Sequence, residues 1–241
     1  MKIEVKNLTK KFNNFLAVDN ISFSIEKNKI VGLLGPNGCG KTTSIGMMLG
    51  LIKPCNGNIF INDKDLNKIN KYEILEKINF ASPYIELPKK LTVKENLEIY
   101  ARLYSVKNFN NRIDEIINDL NLKKFLEKKT GELSSGQKTR VSLAKALINK
   151  PEILFLDEPT ASLDPDIGDF VRNYLENYKL KNEITILLAS HNMKEVERLC
   201  DSIIMMKSGK IVDRGTCKSL IDKHGRNNLE EAFLKIVRSK K

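Results

Sequence analysis

The residues Gly35-Pro36-Asn37-Gly38-Cys39-Gly40-Lys41-Thr42 have the types and spacing of a loop that wraps an anion. Glycines let successive backbone N–H groups turn inward with no Cβ in the way, which forms a concave cradle for phosphate oxygens. Lys41 adds a point charge for the terminal phosphates, and the Thr42 hydroxyl suits a Mg²⁺ ion. An apolar run, Lys29-Ile30-Val31-Gly32-Leu33-Leu34, precedes the loop, and a helix-like run continues past Thr43 to Leu51. This pattern requires a strand before it and a helix after it, because the new helix aims its positive end at the same anion. A plain glycine turn between strand and helix would not need Lys-Thr in that register. Gly35 through Thr43 therefore form the candidate binding set for a nucleoside triphosphate held with Mg²⁺.

Three further sites could complete phosphoryl-transfer chemistry. Ile153-Leu154-Phe155-Leu156-Asp157-Glu158 is an apolar strand that delivers two carboxylates at its C-terminal end, where α/β sheets place their ligands. Asp157 is the candidate for the Mg²⁺ shell, and Glu158 for orienting and polarising the attacking water. Without a phosphate loop elsewhere the pair would be an ordinary solvated strand edge. Leu133-Ser134-Ser135-Gly136-Gln137 opens a helix, and Ser134 and Gln137 have the spacing of a capping box, which is a structural role. A serine- and glycine-rich helix start also offers N–H groups and a positive dipole to an anion. Two phosphate-suited helix starts in one chain make sense if they face each other across a dimer. His191 ends the run Ile184–Ser190, one strand beyond Glu158. That makes it a candidate for contact with the γ-phosphate as well as a hydrogen-bonded structural histidine.

These residues need a particular scaffold. The runs 3–8, 21–25 and 58–62 alternate apolar and polar residues, as half-buried antiparallel strands do. Residues 153–156 and 184–189 are apolar without alternation, the signature of parallel strands covered on both faces. From about Ser82 to Lys150 the pattern turns helical. Thr92-x-x-Glu95 is a capping box ahead of Leu97, Tyr100, Ala101 and Tyr104, and Ile113, Ile116, Ile117 and Leu120 repeat the helical spacing. A third helix is expected from Gly136 to Asn149, ended by Pro151. A short helix from Met193 to Cys200 then leads to a hairpin, 203–206 and 211–214, turning at Ser208-Gly209. The last amphipathic helix carries Leu229, Phe233, Ile236 and Val237. The fold expected is α/β: a phosphate-loop NTPase core with a mixed sheet, an antiparallel β subdomain and an inserted helical lobe. It reads as one domain over 1–241, with the core at 1–81 and 151–226, the lobe at 82–150 and a C-terminal helix at 227–241.

At 241 residues, 41% hydrophobic and 29% charged, the chain has the composition of a globular protein with a sizeable core. No apolar run approaches the length of a membrane span and the start lacks a signal peptide's apolar stretch, so a cytoplasmic location is expected. The four cysteines (Cys39, Cys55, Cys200, Cys217) show no paired spacing, which predicts neither a disulfide nor a zinc site. Cys39 lies inside the loop, so its modification is expected to block nucleotide access. The net charge of +11 is spread along the chain, with one dense tail at Arg238-Ser239-Lys240-Lys241. It reads as a lysine-rich solvated surface, with an anionic membrane surface as the next reading. No nucleic-acid partner is expected.

Taken together, these motifs resemble the nucleotide-binding subunit of ATP-binding-cassette transporters over essentially the whole chain. Residues 35–42 match the family's phosphate loop, and Leu133–Gln137 matches its signature, with Ser135 where glycine is most usual. Residues 153–158 match its carboxylate strand, and Ala161-Ser162-Leu163-Asp164 matches the loop that crosses the dimer interface. His191 matches the switch histidine, and Phe12 stands where the family places an aromatic ring on adenine; otherwise Phe12 is a core aromatic. The resemblance implies that Ser134, Ser135, Gly136, Gln137 and Asp164 of one copy close over the ATP held by another, and that His191 bonds the γ-phosphate. It implies ATP and Mg²⁺ as cofactors, and ATP hydrolysis by a dimer, homomeric or heteromeric. The partner implied is an integral membrane subunit, which would place the chain on the cytoplasmic face of the membrane. Residues 189–193 and 225–231 resemble export-type cassettes. The alternative is a soluble cassette ATPase acting on nucleic acid or ribosomes, but such relatives carry a long coiled-coil insert or tandem cassettes, which this chain lacks. A regulatory switch without turnover is disfavoured by Glu158 and His191 together. In one respect the chain departs from the family: the glutamine usual near the start of the lobe is replaced by Pro83, flanked by Ser82 and Tyr84, and none of the three is assigned its role.

Overall fold

The computed structural model describes residues 1–68, 71–83, 86–161 and 163–238, with the side chains of 71 and 72 left aside. Tyr84, Ser162 and the tail residues Ser239, Lys240 and Lys241, named above, lie outside the described residues. The chain groups into two compact units, Met1–Ile74 with Glu183–Lys241, and Leu75–Asn182.

In the first unit, β1 (Ile3–Phe12), β2 (Phe15–Ile25), β4 (Asn56–Ile61) and β5 (Lys64–Asp65) form an antiparallel sheet in the order β2-β1-β4-β5. β1 runs four residues past the alternating stretch that announces it. The reason is a break in the pairing between Val5 and Leu8, with Asn7 at φ 50°, which returns Leu8 to the buried face and lets the strand continue. Asparagine tolerates this left-handed backbone better than most residues, and Asn13 uses it at φ 47° in the two-residue turn that pairs Phe12 with Phe15.

The second sheet of this unit is built on β3 (Ile30–Leu34), buried at every residue. β3 is parallel to both β8 (Thr185–Ser190) and β9 (Ser202–Lys207), while β10 (Lys210–Gly215) returns antiparallel to β9. The β9–β10 turn is the one the sequence predicts, with Ser208 at φ 47° and Gly209 at φ 79°, the left-handed pair that matches the twist of a tight hairpin. α1 (Lys41–Met48) follows β3, and α7 (Met193–Leu199) follows β8. α8 (Cys217–His224) and α9 (Leu229–Arg238) close the unit, with Leu229 and Phe233 of α9 in one cluster with Leu34, Val196, Met205 and Leu220. A short helix, α2 (Lys71–Leu75), leads out of it.

Among the described residues, the second unit holds β6 (Ile78–Ala81), parallel to β7 (Ile153–Asp157), and four α-helices. These are α3 (Val93–Leu103), α4 (Phe109–Asp119), α5 (Ser135–Leu147) and α6 (Pro165–Lys181). Both capping boxes form as read: Thr92 with Glu95 at the start of α3, and Ser134 with Gln137 at the start of α5. α5 ends two residues before the expected Asn149. The Asn149 side chain instead donates to the Glu76 carbonyl at 2.7 Å, and Lys150 turns to φ 48° ahead of Pro151. The fold class is the one expected: α/β, with a mixed sheet, an antiparallel β portion and a helical segment.

Candidate functional site

The candidate residues fall in both units, and each group has its own geometry. In the first unit, β3 delivers the loop from a fully buried strand, which fixes where the loop starts. Gly38 sits at φ 78° with open space where a Cβ would be, while Gly40 sits at φ 106° with its missing Cβ directed against the Ala17 carbonyl oxygen. At Gly40 only glycine fits, for both conformation and contact. Main-chain bonds hold the curve: the Cys39 N–H donates to the Pro36 carbonyl at 3.2 Å, and the Gly209 N–H to the Cys39 carbonyl at 3.0 Å. The Asp19 N–H in turn donates to the Gly209 carbonyl at 2.9 Å, which brings β2 into the same chain of bonds.

Lys41 is 6% exposed, and its Nζ donates to the Gly35 carbonyl at 2.7 Å and to the Pro36 carbonyl at 3.3 Å. Its charge is therefore stored on the rim of the loop by neutral acceptors, and among the described residues no carboxylate forms an ion pair with it there. α1 begins at Lys41 with no side-chain cap and no acidic residue in its first turn. Most helix starts are capped or carry an acid; this one leaves its N–H groups and its dipole to a ligand. Asn37, Gly38 and Thr42 are exposed and Thr43 is half-buried. Glycines clearing the curve, a buried lysine at its edge and an uncapped helix end fit a polyphosphate.

Cys39 is less accessible than its place inside the loop suggests. A Cβ on Gly35 would run into the Cys39 sulfur, so the thiol packs beneath the loop and is 3% exposed. Burial pushes its pKa up, outweighing the pull of Lys41. We expect maleimide to label the exposed Cys55 long before Cys39 in the folded chain, read by peptide mass spectrometry; equal rates at the two sites would contradict this packing.

Phe12 ends β1 and is 44% exposed, with Lys10 Nζ 4.9 Å from its ring centroid, so it is no core aromatic. His191 is exposed in the turn from β8 to α7. The turn itself is rigid: Ser190 Oγ donates to Glu195 Oε2 at 2.7 Å and accepts from the Asn192 N–H at 3.0 Å, and Asn192 caps α7.

In the second unit, β7 carries Asp157 and Glu158 to its end, both nearly buried. Glu158 stands at φ 54°, immediately before Pro159. For a non-glycine residue that backbone costs on the order of 1–3 kcal/mol, and such strain gathers where a side chain must be aimed. The sequence carries no signal for it. Ser134 and Ser135 are exposed at the tip of α5, and Gly136 is buried with Ile167 lying against it. Gln137 donates its N–H to Ser134 Oγ at 3.4 Å, and its Oε1 accepts from the Ser134 N–H at 3.1 Å. By helix geometry, the N–H groups of Ser135 and Gly136 keep no partner inside the helix. Asp164 is exposed at the start of α6, where its carboxylate makes no capping bond and Pro165 takes the first helical position. Ser82 is buried and Pro83 exposed after β6.

One residue of this unit escapes a reading from motifs. Lys145 is half-buried on the α5 stripe that carries Val141 and runs on to the C-cap Ile148. Its Nζ donates to the Phe80 carbonyl at 3.0 Å and to Asn79 Oδ1 at 3.4 Å, and lies 5.5 Å from the Tyr100 ring centroid. A lysine in phase with apolar neighbours is the signal that could have found it. Burial pushes its pKa down to about 8. Between that value and about 10.4 the unfolded chain holds a proton that the folded chain has released, so stability rises with pH through this window. At about 1.36 kcal/mol per unit, the gain from pH 7 to pH 10 is on the order of 2–3 kcal/mol. Urea unfolding of the chain and of Lys145→Met at pH 7 and pH 10 measures it; equal pH dependence in the two would contradict the burial of the ammonium.

A buried parallel strand opening through a glycine loop into an uncapped helix defines a phosphate-loop nucleotide-binding protein. A family model described as "ABC transporter" matches residues 18–161. The chain is 35% identical over 226 residues to "ABC transporter ATP-binding protein NatA" of Bacillus subtilis, covering 92% of this chain and 91% of that protein. It is 33% identical over 222 residues to "Nod factor export ATP-binding protein I" of Burkholderia lata, covering 91% and 72%. Among solved structures, a dimeric ATP-binding cassette in a post-hydrolysis state bound to ADP and Pi superposes with a TM-score of 0.81 at 27% identity, covering 89% of this chain and 98% of that one. The chain belongs to the ABC transporter family, as an ATP-binding subunit. Such a domain binds ATP and in general hydrolyses it. Among the described residues no helix is long and apolar enough to cross a membrane.

Proposed function

We propose that two copies of the chain, or this chain and a similar one, close around ATP and drive an integral membrane subunit from the cytoplasmic face, in the direction of export. The observation that carries this reading is the presence of two helix starts suited to phosphate, the uncapped α1 and the exposed Ser134–Gly136 tip of α5. One polyphosphate needs one of them; a shared pair of polyphosphates needs both.

In this reading the loop residues Gly38–Thr42 receive the phosphates and Lys41 swings from the Gly35 and Pro36 carbonyls to the terminal phosphate oxygens. Phe12 offers a ring face to adenine. Thr42 and Asp157 hold Mg²⁺, which when bound neutralises charge developing on the phosphates. Glu158, aimed by its left-handed backbone, orients the attacking water and polarises its O–H bond. His191 bonds the γ-phosphate and steadies Glu158. Ser134 and Gly136 of the second copy close the far side, with Asp164 beside them. Little covalent work falls to the protein in such a reaction, so positioning and charge account for nearly all of the rate. After hydrolysis the shared charge is split and the copies separate.

The names of the relatives support transport over the nucleic-acid alternative, and the word "export" in one of them supports the direction. The test is affinity purification of the tagged chain from membranes of its own host. Recovery of one integral membrane protein, with ATP-dependent transport in inside-out vesicles, is the expected result. Recovery of ribosomes or nucleic acid instead would overturn the reading.

A further inference from the structure

Arg140 lies one turn beyond Gly136 on α5. Among the described residues its Nε is buried without a hydrogen-bond partner, although buried donors are nearly always paired. Among the described residues its guanidinium is held by two rings, Phe170 at 5.3 Å and Phe125 at 5.9 Å from the ring centroids. Phe170 is on α6, three residues after the Ile167 whose side chain lies flat on Gly136. Gly136 and Arg140 are neighbours along α5, as Ile167 and Phe170 are along α6, so the two contacts are successive rungs between the same pair of helices. The lower rung stands two residues past the Ser134 cap and three past the Asp164 cap.

We infer that Ile167, Phe170 and Arg140 are positioning residues that set the tip of α6, with Asp164, in fixed register with the tip of α5, with Ser134. Their effect on turnover rests on the face-to-face reading above. The lower rung allows close approach because Gly136 has no side chain to hold α6 away. The upper rung keeps α6 from sliding, because the guanidinium is held by the Phe170 ring of α6 together with the Phe125 ring. Both rungs belong to the second unit and the phosphate loop to the first, so loss of a rung is expected to weaken the closing surface and leave nucleotide affinity intact.

The experiment compares the full chain with Phe170→Leu and Phe170→Tyr. Three quantities are measured: affinity for a fluorescent ATP analogue, kcat for ATP across chain concentrations, and hydrogen exchange at the Lys138 and Gly168 amides. These two amides bond to the Ser134 and Asp164 carbonyls at 2.8 and 2.9 Å. Phe170→Leu is expected to keep nucleotide affinity within twofold, lower kcat about tenfold and speed exchange at both amides; Phe170→Tyr, which keeps the ring, is expected to restore all three. Parental kcat in Phe170→Leu, a matching loss of affinity, or no restoration by tyrosine would overturn the inference. If Phe170→Leu does not fold, Arg140→Lys, which keeps the charge and loses the planar stack, takes its place with the same outcomes. Should the parent's specific activity be independent of chain concentration, the face-to-face reading fails, and the two amides alone decide whether the rungs hold the tips.

Discussion

Glu158→Gln is expected to bind ATP as tightly as the parent, to hydrolyse it at least about a hundredfold more slowly, and to accumulate as an ATP-bound dimer. The amide is nearly the same size as the carboxylate and accommodates φ 54° as readily, so the fold and the end of β7 should stand unchanged. What is lost is the negative charge that draws a proton from water, a contribution of about 10²- to 10⁴-fold when a general base is removed. Steady-state phosphate release and light scattering on a sizing column, with ATP and Mg²⁺ present, measure the two effects. Hydrolysis at the parental rate would remove Glu158 from the chemistry, and a slow variant that stays monomeric would remove the dimer from the cycle.

The second large effect is expected at Lys41. Its ammonium is nearly buried and bonded to two loop carbonyls, and no acid in the first turn of α1 competes for it. A charge-assisted bond of this kind contributes about 1.5–3 kcal/mol. Lys41→Ala should therefore weaken ATP binding by about tenfold at the least and a hundredfold or more at the other end of that range. The Gly35 and Pro36 carbonyls also lose their donor, so circular dichroism should accompany titration calorimetry to show that the strand and helix persist. Parental affinity in a folded Lys41→Ala chain would mean that the phosphates lie elsewhere.

What could be read from the sequence was what is decided within a few residues. The loop from Gly35 to Thr42, the boxes Thr92–Glu95 and Ser134–Gln137, and the Ser208-Gly209 hairpin each depend on spacing and on local backbone preference, and each forms as read. What could not be read depends on residues far away in the chain. The end of β1 is set by a bulge opposite β2, which breaks the alternation that would have announced it. The Cys39 thiol turns under the loop into the room at Gly35, which the distant Met206 carbonyl also lines. Lys145 looks like a surface lysine until the Phe80 carbonyl and Asn79, some 65 positions away, are seen to receive it. The strained backbone of Glu158 has no local cause at all; Glu-Pro predicts an extended residue there, and the fold overrides it.

The relay from Asp19 through Gly209 and Cys39 to Pro36 is made of peptide groups alone. Exchanging side chains along it cannot delete a bond; only proline, which has no N–H, can. Small replacements at the buried Cys39, such as alanine or serine, should thus yield folded, nucleotide-competent proteins, with proline the outlier. The pocket's rim could be retuned for altered base or sugar preference while its curvature stays as inherited.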